Sequence, residues 1–372
     1  MSSSFLFLSA NTPWVYALAN RLAERDPVRV VRFFDWQVYV SNRPSWPEGP
    51  SPNALTRTTR VMPTGYTGIL EPVARPVLKW MIRRWKNELR EQSGSSPLVV
   101  APYPYLAPWV RDTPSESLVY YNLDDYALYR PERADQIREH EGELVERSHC
   151  TLCLSVHQVQ QLRERYPDQA DQIYHFPLGV TEAFLNPTPD APATPRTITY
   201  VGNLTDRVDW TFVNAVAERC PSLTFLFVGA ADPTASETQW ERERTNAFQR
   251  PNVRFVGRVP QEEVTQYYWS AAVNWIPYDP DHPFNLASCP TKVMDGIGSG
   301  RPVISTDIPE CRQYPRWIDI VSTPDEAADA LHEAVERNHQ SRTQVNFARS
   351  NTWADRADTF RNILDDTVSS RT

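Results

Sequence analysis

A chain of 372 residues is longer than one ordinary hydrophobic core organises, so two domains are expected. Its 38 basic and 46 acidic residues give a net charge of −8, which excludes a general nucleic-acid-binding surface. Five cysteines, an odd number in a long chain, point to reduced thiols and a cytosolic setting rather than a disulfide framework.

The first residues carry a short apolar run without a basic leader or a cleavage-like end, so they read as a strand and not as a signal peptide. No run of about 20 apolar residues is present to span a membrane. Residues 4–9 are a buried-type strand. Asn11, Thr12, Pro13 and Trp14 then turn into a helix carrying Tyr16, Leu18, Ala19 and Leu22, and residues 28–34 form the next strand. Strand, helix and strand at this spacing open a doubly wound α/β domain. The turn after the first strand lacks glycine, so it carries no dinucleotide fingerprint. Residues 41–68 are rich in Pro, Ser and Asn, with an edge strand expected near Arg60 and Val61.

Residues 76–90 predict an amphipathic helix. Val77, Leu78, Trp80, Met81, Ile82, Trp85 and Leu89 supply its apolar side, and Lys79, Arg83, Arg84, Lys86 and Arg90 its basic side. This suits a core helix with a solvated basic edge, and it equally suits peripheral contact with an anionic membrane or a lipid-diphosphate acceptor. Strands follow at 97–102 and 117–123. Asn122, Asp124 and Asp125 fall at the carboxyl end of the second, the ligand-facing end of an open α/β sheet. The two carboxylates are therefore candidate catalytic residues; a helix N-cap with an acidic first turn is the alternative.

A charged helix is expected at 130–147, a strand at 151–156, a helix at 156–166 and a strand at 172–176. Cys150 and Cys153 share a C-x-x-C spacing, but in a strand positions three apart face opposite sides, which argues against a metal or redox pair. Residues 182–196 hold Pro187, Pro189, Pro192 and Pro195 and make the best linker in the chain. The division predicted is a first Rossmann-like domain at 1–182 and a second at 183–351. A C-terminal helix at about 352–372 is expected to pack back on the first.

The second half repeats the pattern, with strands at 196–201, 223–228, 253–256 and 273–278 and helices at 209–219, 261–271, 323–338 and 344–367. Three of these strands close on a glycine, Gly202, Gly229 and Gly257, which lets a ligand approach the backbone at the strand's carboxyl end. Residues 285–306 then read as a loop, a short helix, a glycine-bearing turn and a buried strand. Pro290 is placed at the first helical position, Thr291 and Lys292 lie in the first turn, and Gly298 and Gly300 end the helix. Such a helix start offers N–H donors and the positive end of a dipole to an anion, and Lys292 adds a full charge. Asp295 lies about one turn further on much the same face, where a carboxylate would receive hydroxyls. A nucleotide-sugar site fits these residues, as does an ordinary solvated helix start.

Several strings resemble the GT-B glycosyltransferases of family 4, the retaining nucleotide-sugar transferases. Phe176, Pro177, Leu178, Gly179 and Val180, with Phe184, are similar to that family's inter-domain turn, and residues 200–204 to its first C-terminal strand. Residues 252–260 resemble its base-pocket strand and residues 289–306 its donor-phosphate helix. Residues 122–126 and 205–210 look like strings of the bacterial cell-surface polysaccharide transferases of the teichuronic-acid type. The resemblance implies an α/β GT-B fold, two Rossmann-like domains facing across a cleft. It also implies a hexosyltransferase of polysaccharide biosynthesis, cytoplasmic or peripheral at the inner membrane face. That enzyme would move a hexose from a UDP- or GDP-sugar to a glycan or lipid-linked acceptor, with retention, and would require no metal or other cofactor.

Residue by residue, Asp295 stands where the family holds the ribose hydroxyls, and Ala287 stands where it has a further glutamate. Arg207 resembles its diphosphate lysine, Asn203 replaces its arginine, and Lys292 supplies the missing charge. Gly202, Pro290 and Thr291 join the donor-binding residues, Thr291 through its backbone N–H, and Arg258 and Val259 hold the base through main-chain atoms. No match to the family's N-terminal histidine is visible. Two other readings remain in play. The loss at Ala287 favours a non-catalytic glycan-assembly protein, and His282 beside Asp281 is the support for a nucleotide-sugar 2-epimerase.

Overall fold

The computed structural model describes residues 3–47, 51–185, 194–231, 238–337 and 340–369. Much of the linker predicted at 182–196 lies outside the described residues. The chain divides into two units, Met1–Pro177 with Trp353–Thr372, and Leu178–Thr352.

Unit 1 is a seven-stranded parallel sheet in the order β3-β2-β1-β4-β5-β6-β7. Its strands are β1 (Phe5–Phe7), β2 (Val28–Asp35), β3 (Leu55–Met62), β4 (Leu98–Ala101), β5 (Leu118–Asn122), β6 (Cys150–Cys153) and β7 (Ile173–His175). Its helices are α1 (Pro13–Leu22), α2 (Trp36–Asn42), α3 (Glu71–Ser93), α4 (Ala107–Val110), α5 (Tyr126–Tyr129), α6 (Ala134–Arg147) and α7 (Val156–Arg165). The central strands are apolar throughout because helices cover both faces of such a sheet. Leu6, Val31, Val99 and Tyr120 are fully buried there. The expected edge strand is present as β3, paired to β2 from Leu55 opposite Val28 to Met62 opposite Asp35. Its polar Thr56, Arg57, Thr59 and Arg60 suit an edge.

Unit 2 is a six-stranded parallel sheet in the order β10-β9-β8-β11-β12-β13. The strands are β8 (Thr197–Val201), β9 (Thr224–Val228), β10 (Val253–Gly257), β11 (Val273–Ile276), β12 (Val303–Thr306) and β13 (Ile318–Val321). The helices are α8 (Trp210–Arg219), α9 (Gln239–Gln249), α10 (Val264–Ser270), α11 (Pro283–Ala287), α12 (Thr291–Gly298), α13 (Pro324–Arg337) and α14 (Arg342–Arg349). Trp210, Phe225, Phe227 and Trp275 form the aromatic centre of its core. Helix α15 (Trp353–Ser369) belongs to unit 1. There Phe360 meets Phe5 and Phe176 edge to face at 5.7 and 6.2 Å, and Arg361 pairs with Asp26 at 2.8 Å.

Three local expectations change, and α9 is a helix the sequence did not predict. Helix α3 starts at Glu71, five residues before the predicted Pro76, so Pro76 lies inside it. Pro72 occupies the first turn, where a missing N–H is harmless, and the Glu71 carboxylate grips Arg75 with two hydrogen bonds of 2.8 and 2.5 Å across the turn. The predicted helical run at 344–367 breaks after Arg349, where the chain leaves unit 2. Helix α9 has no strong apolar stripe and is marked by its N-terminus, where Thr238 N–H donates to the Glu241 carboxylate at 2.9 Å. Pro290 is the N-cap of α12, with extended backbone angles, and Thr291 is the first helical residue.

Candidate functional site

The carboxyl edge of the unit 2 sheet brings together residues from three loops. Gly202, Gly229 and Gly257 end the adjacent strands β8, β9 and β10, linked by Gly202 N–H to the Val228 carbonyl at 2.8 Å and Gly229 N–H to the Gly257 carbonyl at 2.9 Å. Two of the three glycines answer to crowding. Gly202 has φ of +147°, and a β-carbon on it would lie 2.4 Å from the Lys292 ammonium. Gly229 has φ of +150°, and a β-carbon there would lie 1.9 Å from the Gly202 carbonyl oxygen. Only residues without side chains let these turns and the lysine share the space.

Lys292, in the first turn of α12, points inward. Its ammonium donates to the Tyr278 hydroxyl at 2.8 Å and sits 5.1 Å from the Tyr200 ring centre and 5.2 Å from that of Tyr278. Arg207 approaches the same tyrosine, its guanidinium carbon 5.1 Å from the ring centre. It donates to the Asn285 side-chain carbonyl and the Ser288 hydroxyl, both at 2.8 Å. Asn285 is fully buried and ties the two loops together through the Arg207 and Asp279 carbonyls at 2.8 and 2.9 Å. Among the described residues, neither Lys292 nor Arg207 forms an ion pair. Two cations held against neutral partners leave local positive charge on an acidic protein, an arrangement that is costly unless an anion comes to it.

The charges act on their neighbours. Burial would raise the Tyr278 phenol, but Lys292 and Arg207 outweigh it and bring the group below its ordinary value of 10.0. Tyr200, fully enclosed, is driven well above that value by burial and then by Tyr278, and its hydroxyl donates to the Asn203 carbonyl at 2.8 Å. Asp295 is half-buried one turn into α12; desolvation pushes it up to about 7, with Lys292 opposing the rise. No side chain caps α12, because Pro290 at the cap carries no acceptor. Arg258 and Val259 follow β10 at the sheet's edge, Arg258 exposed and Val259 half-buried. Ala287 ends α11 and is buried.

Asp124 and Asp125 lie in unit 1 and are engaged there. Asp125 caps α5 by accepting from Ala127 N–H at 3.1 Å and pairs with Arg138 at 2.5 Å. Asp124 accepts from Asp125 N–H at 2.9 Å and from the Tyr129 hydroxyl at 2.5 Å. Arg138 also meets Glu141, which pairs with Arg165 at 2.7 Å. Cys150 and Cys153 are buried in β6. His282 uses Nδ1 to accept Phe284 N–H at the start of α11 and faces Asp206 at 3.4 Å. Among the described residues, no cluster of three or more His, Cys, Asp or Glu is placed to hold a metal ion.

Sequence reasoning passed over Tyr200, Tyr278, Asn285 and Ser288. Their signal was position. Tyr278 follows the carboxyl end of β11, Asn285 lies in α11 and Ser288 is its C-cap, in the connection that begins there, where parallel sheets place ligand contacts.

Residues 195–340, within unit 2, match the family described as glycosyl transferases group 1. In sequence, a stretch of 110 residues is 27% identical to TuaH of Bacillus subtilis (strain 168), a glycosyltransferase assigned to teichuronic acid biosynthesis. The aligned stretch is 30% of this chain and spans about a quarter, 26%, of that protein's length. In structure, the chain is similar to sucrose-phosphate synthase (tll1590) from Thermosynechococcus elongatus, with a TM-score of 0.69, 18% identity and coverage of 99% of this chain and 100% of the other. It is also similar to a glycosyltransferase from Rickettsia africae ESF-5, at a TM-score of 0.70, 11% identity and 99% of each chain. Anabaena Alr3699/HepE, solved in complex with UDP, aligns at a TM-score of 0.66 and 13% identity over 98% of this chain and 100% of its own. At these identities the likeness is one of fold: two Rossmann-like parallel sheets of the GT-B class, as the sequence predicts.

Proposed function

We propose that unit 2 binds the diphosphate of a UDP- or GDP-sugar and that the protein transfers its hexose to a glycan or lipid-linked acceptor. One observation carries the reading: Lys292 and Arg207 converge on Tyr278 at the end of the parallel sheet with no ion-pair partner among the described residues. A nucleoside diphosphate gains negative charge as it leaves the anomeric carbon, so fixed cations and helix N–H groups stabilise the departing group. Lys292 and Arg207 take the two phosphates, and the Thr291 N–H with the uncapped start at Pro290 adds the helix dipole. Gly202 and Asn203 let the diphosphate lie against the end of β8. Asp295 receives the ribose hydroxyls, while Arg258 and Val259 hold the base through their main chain. Two side-chain cations supply the charge a metal would otherwise bring. Retention at the anomeric carbon rests on the resemblance to family 4, and synthesis of a cell-surface polysaccharide on the stretch similar to TuaH.

Calorimetric titration of the full chain with UDP and with GDP tests this. Lys292→Ala is expected to weaken binding by roughly 10–100-fold, the loss of one charge-assisted contact. Equal affinity in the parent and the variant rejects the site. Ala287, buried where the family has a carboxylate, favours a second reading in which the chain binds the nucleotide without transferring sugar. Slow hydrolysis of a bound donor supports the transferase, and nucleotide binding without any hydrolysis supports the second reading.

A further inference from the structure

Helix α3 turns two apolar faces in opposite directions. Leu78, Ile82, Trp85 and Leu89 are buried in the unit 1 core. Val73, Val77 and Trp80, at spacings of four and three, form a separate row on the far side, exposed by 77, 55 and 58%. Ile69, just ahead of the helix, is 94% exposed. Single exposed apolar side chains are ordinary, but a continuous row along a helix is not. Beside it, at spacings of four, three and four, run Lys79, Arg83, Lys86 and Arg90. Burial lowers the Lys86 ammonium, and Arg90 and Arg83 lower it further, so these cations crowd one another. Among the described residues, the one carboxylate paired with this row is Asp112, which serves both Lys79 and Arg83, at 3.1 and 3.8 Å.

We propose that α3 docks unit 1 onto a bilayer containing anionic lipid, with Val73, Val77 and Trp80 entering the headgroup boundary and the Lys79-to-Arg90 row lying over the phosphates. Charge selects this occupant. The whole chain carries −8 and is repelled by an anionic surface, whereas this flank is positive beside an apolar edge, the pattern of an interfacial helix. The helix lies along the surface and does not cross it, since no described helix is long and apolar enough to span a membrane. The inference is independent of the nucleotide site.

Flotation of the full chain with vesicles tests it, using phosphatidylcholine alone and phosphatidylcholine mixed with phosphatidylglycerol. The protein should float with the mixed vesicles and detach at 1 M salt, where screening reaches to about 3 Å. Val77→Glu with Trp80→Glu should reduce partition by at least about tenfold through loss of buried apolar area. Arg83→Glu with Arg90→Glu should do so by at least about tenfold through charge. Both pairs replace exposed side chains, and unchanged circular dichroism and UDP affinity show that the fold and unit 2 are intact. Failure to float with anionic vesicles overturns the proposal, as does flotation of both variants to the same extent as the parent. A dimer of the parent chain that the Val77 and Trp80 substitutions abolish, without lipid binding, also overturns it and assigns the row to a second copy.

Discussion

The carboxyl edges of the two sheets use charge in opposite ways. At the carboxyl edge of unit 1, Asp124, Asp125, Arg138, Glu141 and Arg165 each have a partner of opposite sign or a hydrogen bond at hand. Asp125, Arg138, Glu141 and Arg165 form a closed chain of ion pairs, and Asp124 accepts from Tyr129. In unit 2, Lys292 and Arg207 are held by Tyr278, Asn285 and Ser288, which orient them without cancelling them. The backbones differ in the same sense. The turn after β1 is closed by Ser9 at φ of 52°, its hydroxyl 2.7 Å from that of Tyr105, while the turns after β8 and β9 are kept open by glycine. A neutralised edge stabilises its own domain; an edge with uncancelled charge and bare backbone is suited to receiving an anion.

Substitutions that break this contrast should act in different ways. The largest effect is expected from Gly229→Ala, whose β-carbon would overlap the Gly202 carbonyl oxygen; a loss of about 3 kcal/mol or more in chemical denaturation is expected. Gly202→Ala presses on a flexible lysine instead. It should leave a folded protein in which UDP binds about tenfold more weakly, because Lys292 is displaced. In unit 1, Asp125→Ala should cost about 1–2 kcal/mol of stability through the lost cap and pair while leaving UDP affinity unchanged. A weakened UDP affinity in that variant would erase the distinction between the two edges.

The smallest effect concerns pH. Asp295 is raised from 3.8 to about 7 by burial, so the unfolded chain gives up that proton first. The stability tied to the neutral carboxyl is present at low pH and is lost as the pH rises from about 4 to about 7. Asp295→Asn should flatten the fall in melting temperature across that window without nucleotide. An unchanged slope would mean that the carboxyl is ionised in the free protein at neutral pH.

The sequence made the two parallel sheets legible because buried strands and amphipathic helices alternate at α/β spacing. It also placed Gly202, Lys292 and Asp295 by strand-end glycines and a helix start. It did not show that Lys292 lies on Tyr278, since that contact joins residues fourteen apart through the carboxyl end of β11. The double face of α3 was hidden for a different reason. Val77, Leu78 and Trp80 read together as one apolar side, and only packing separates the buried Leu78 from its exposed neighbours. Helix α9, whose first turn is held by Glu241 and whose face is largely polar, gave periodicity little to detect.

The boundary near Pro177 is matched by a second at Thr352, and the ends of unit 2 are stitched together. Val180 bridges Thr352 in parallel and its N–H donates to the Asn351 carbonyl at 2.8 Å. Unit 2 is therefore a cassette whose first and last residues meet at one point, set inside a host whose own chain resumes as α15. A gene fragment encoding 178–352 carries a closed structural loop, so it can be excised at two junctions that lie close together. A host rejoined across that gap keeps Phe360 to close its core against Phe5 and Phe176.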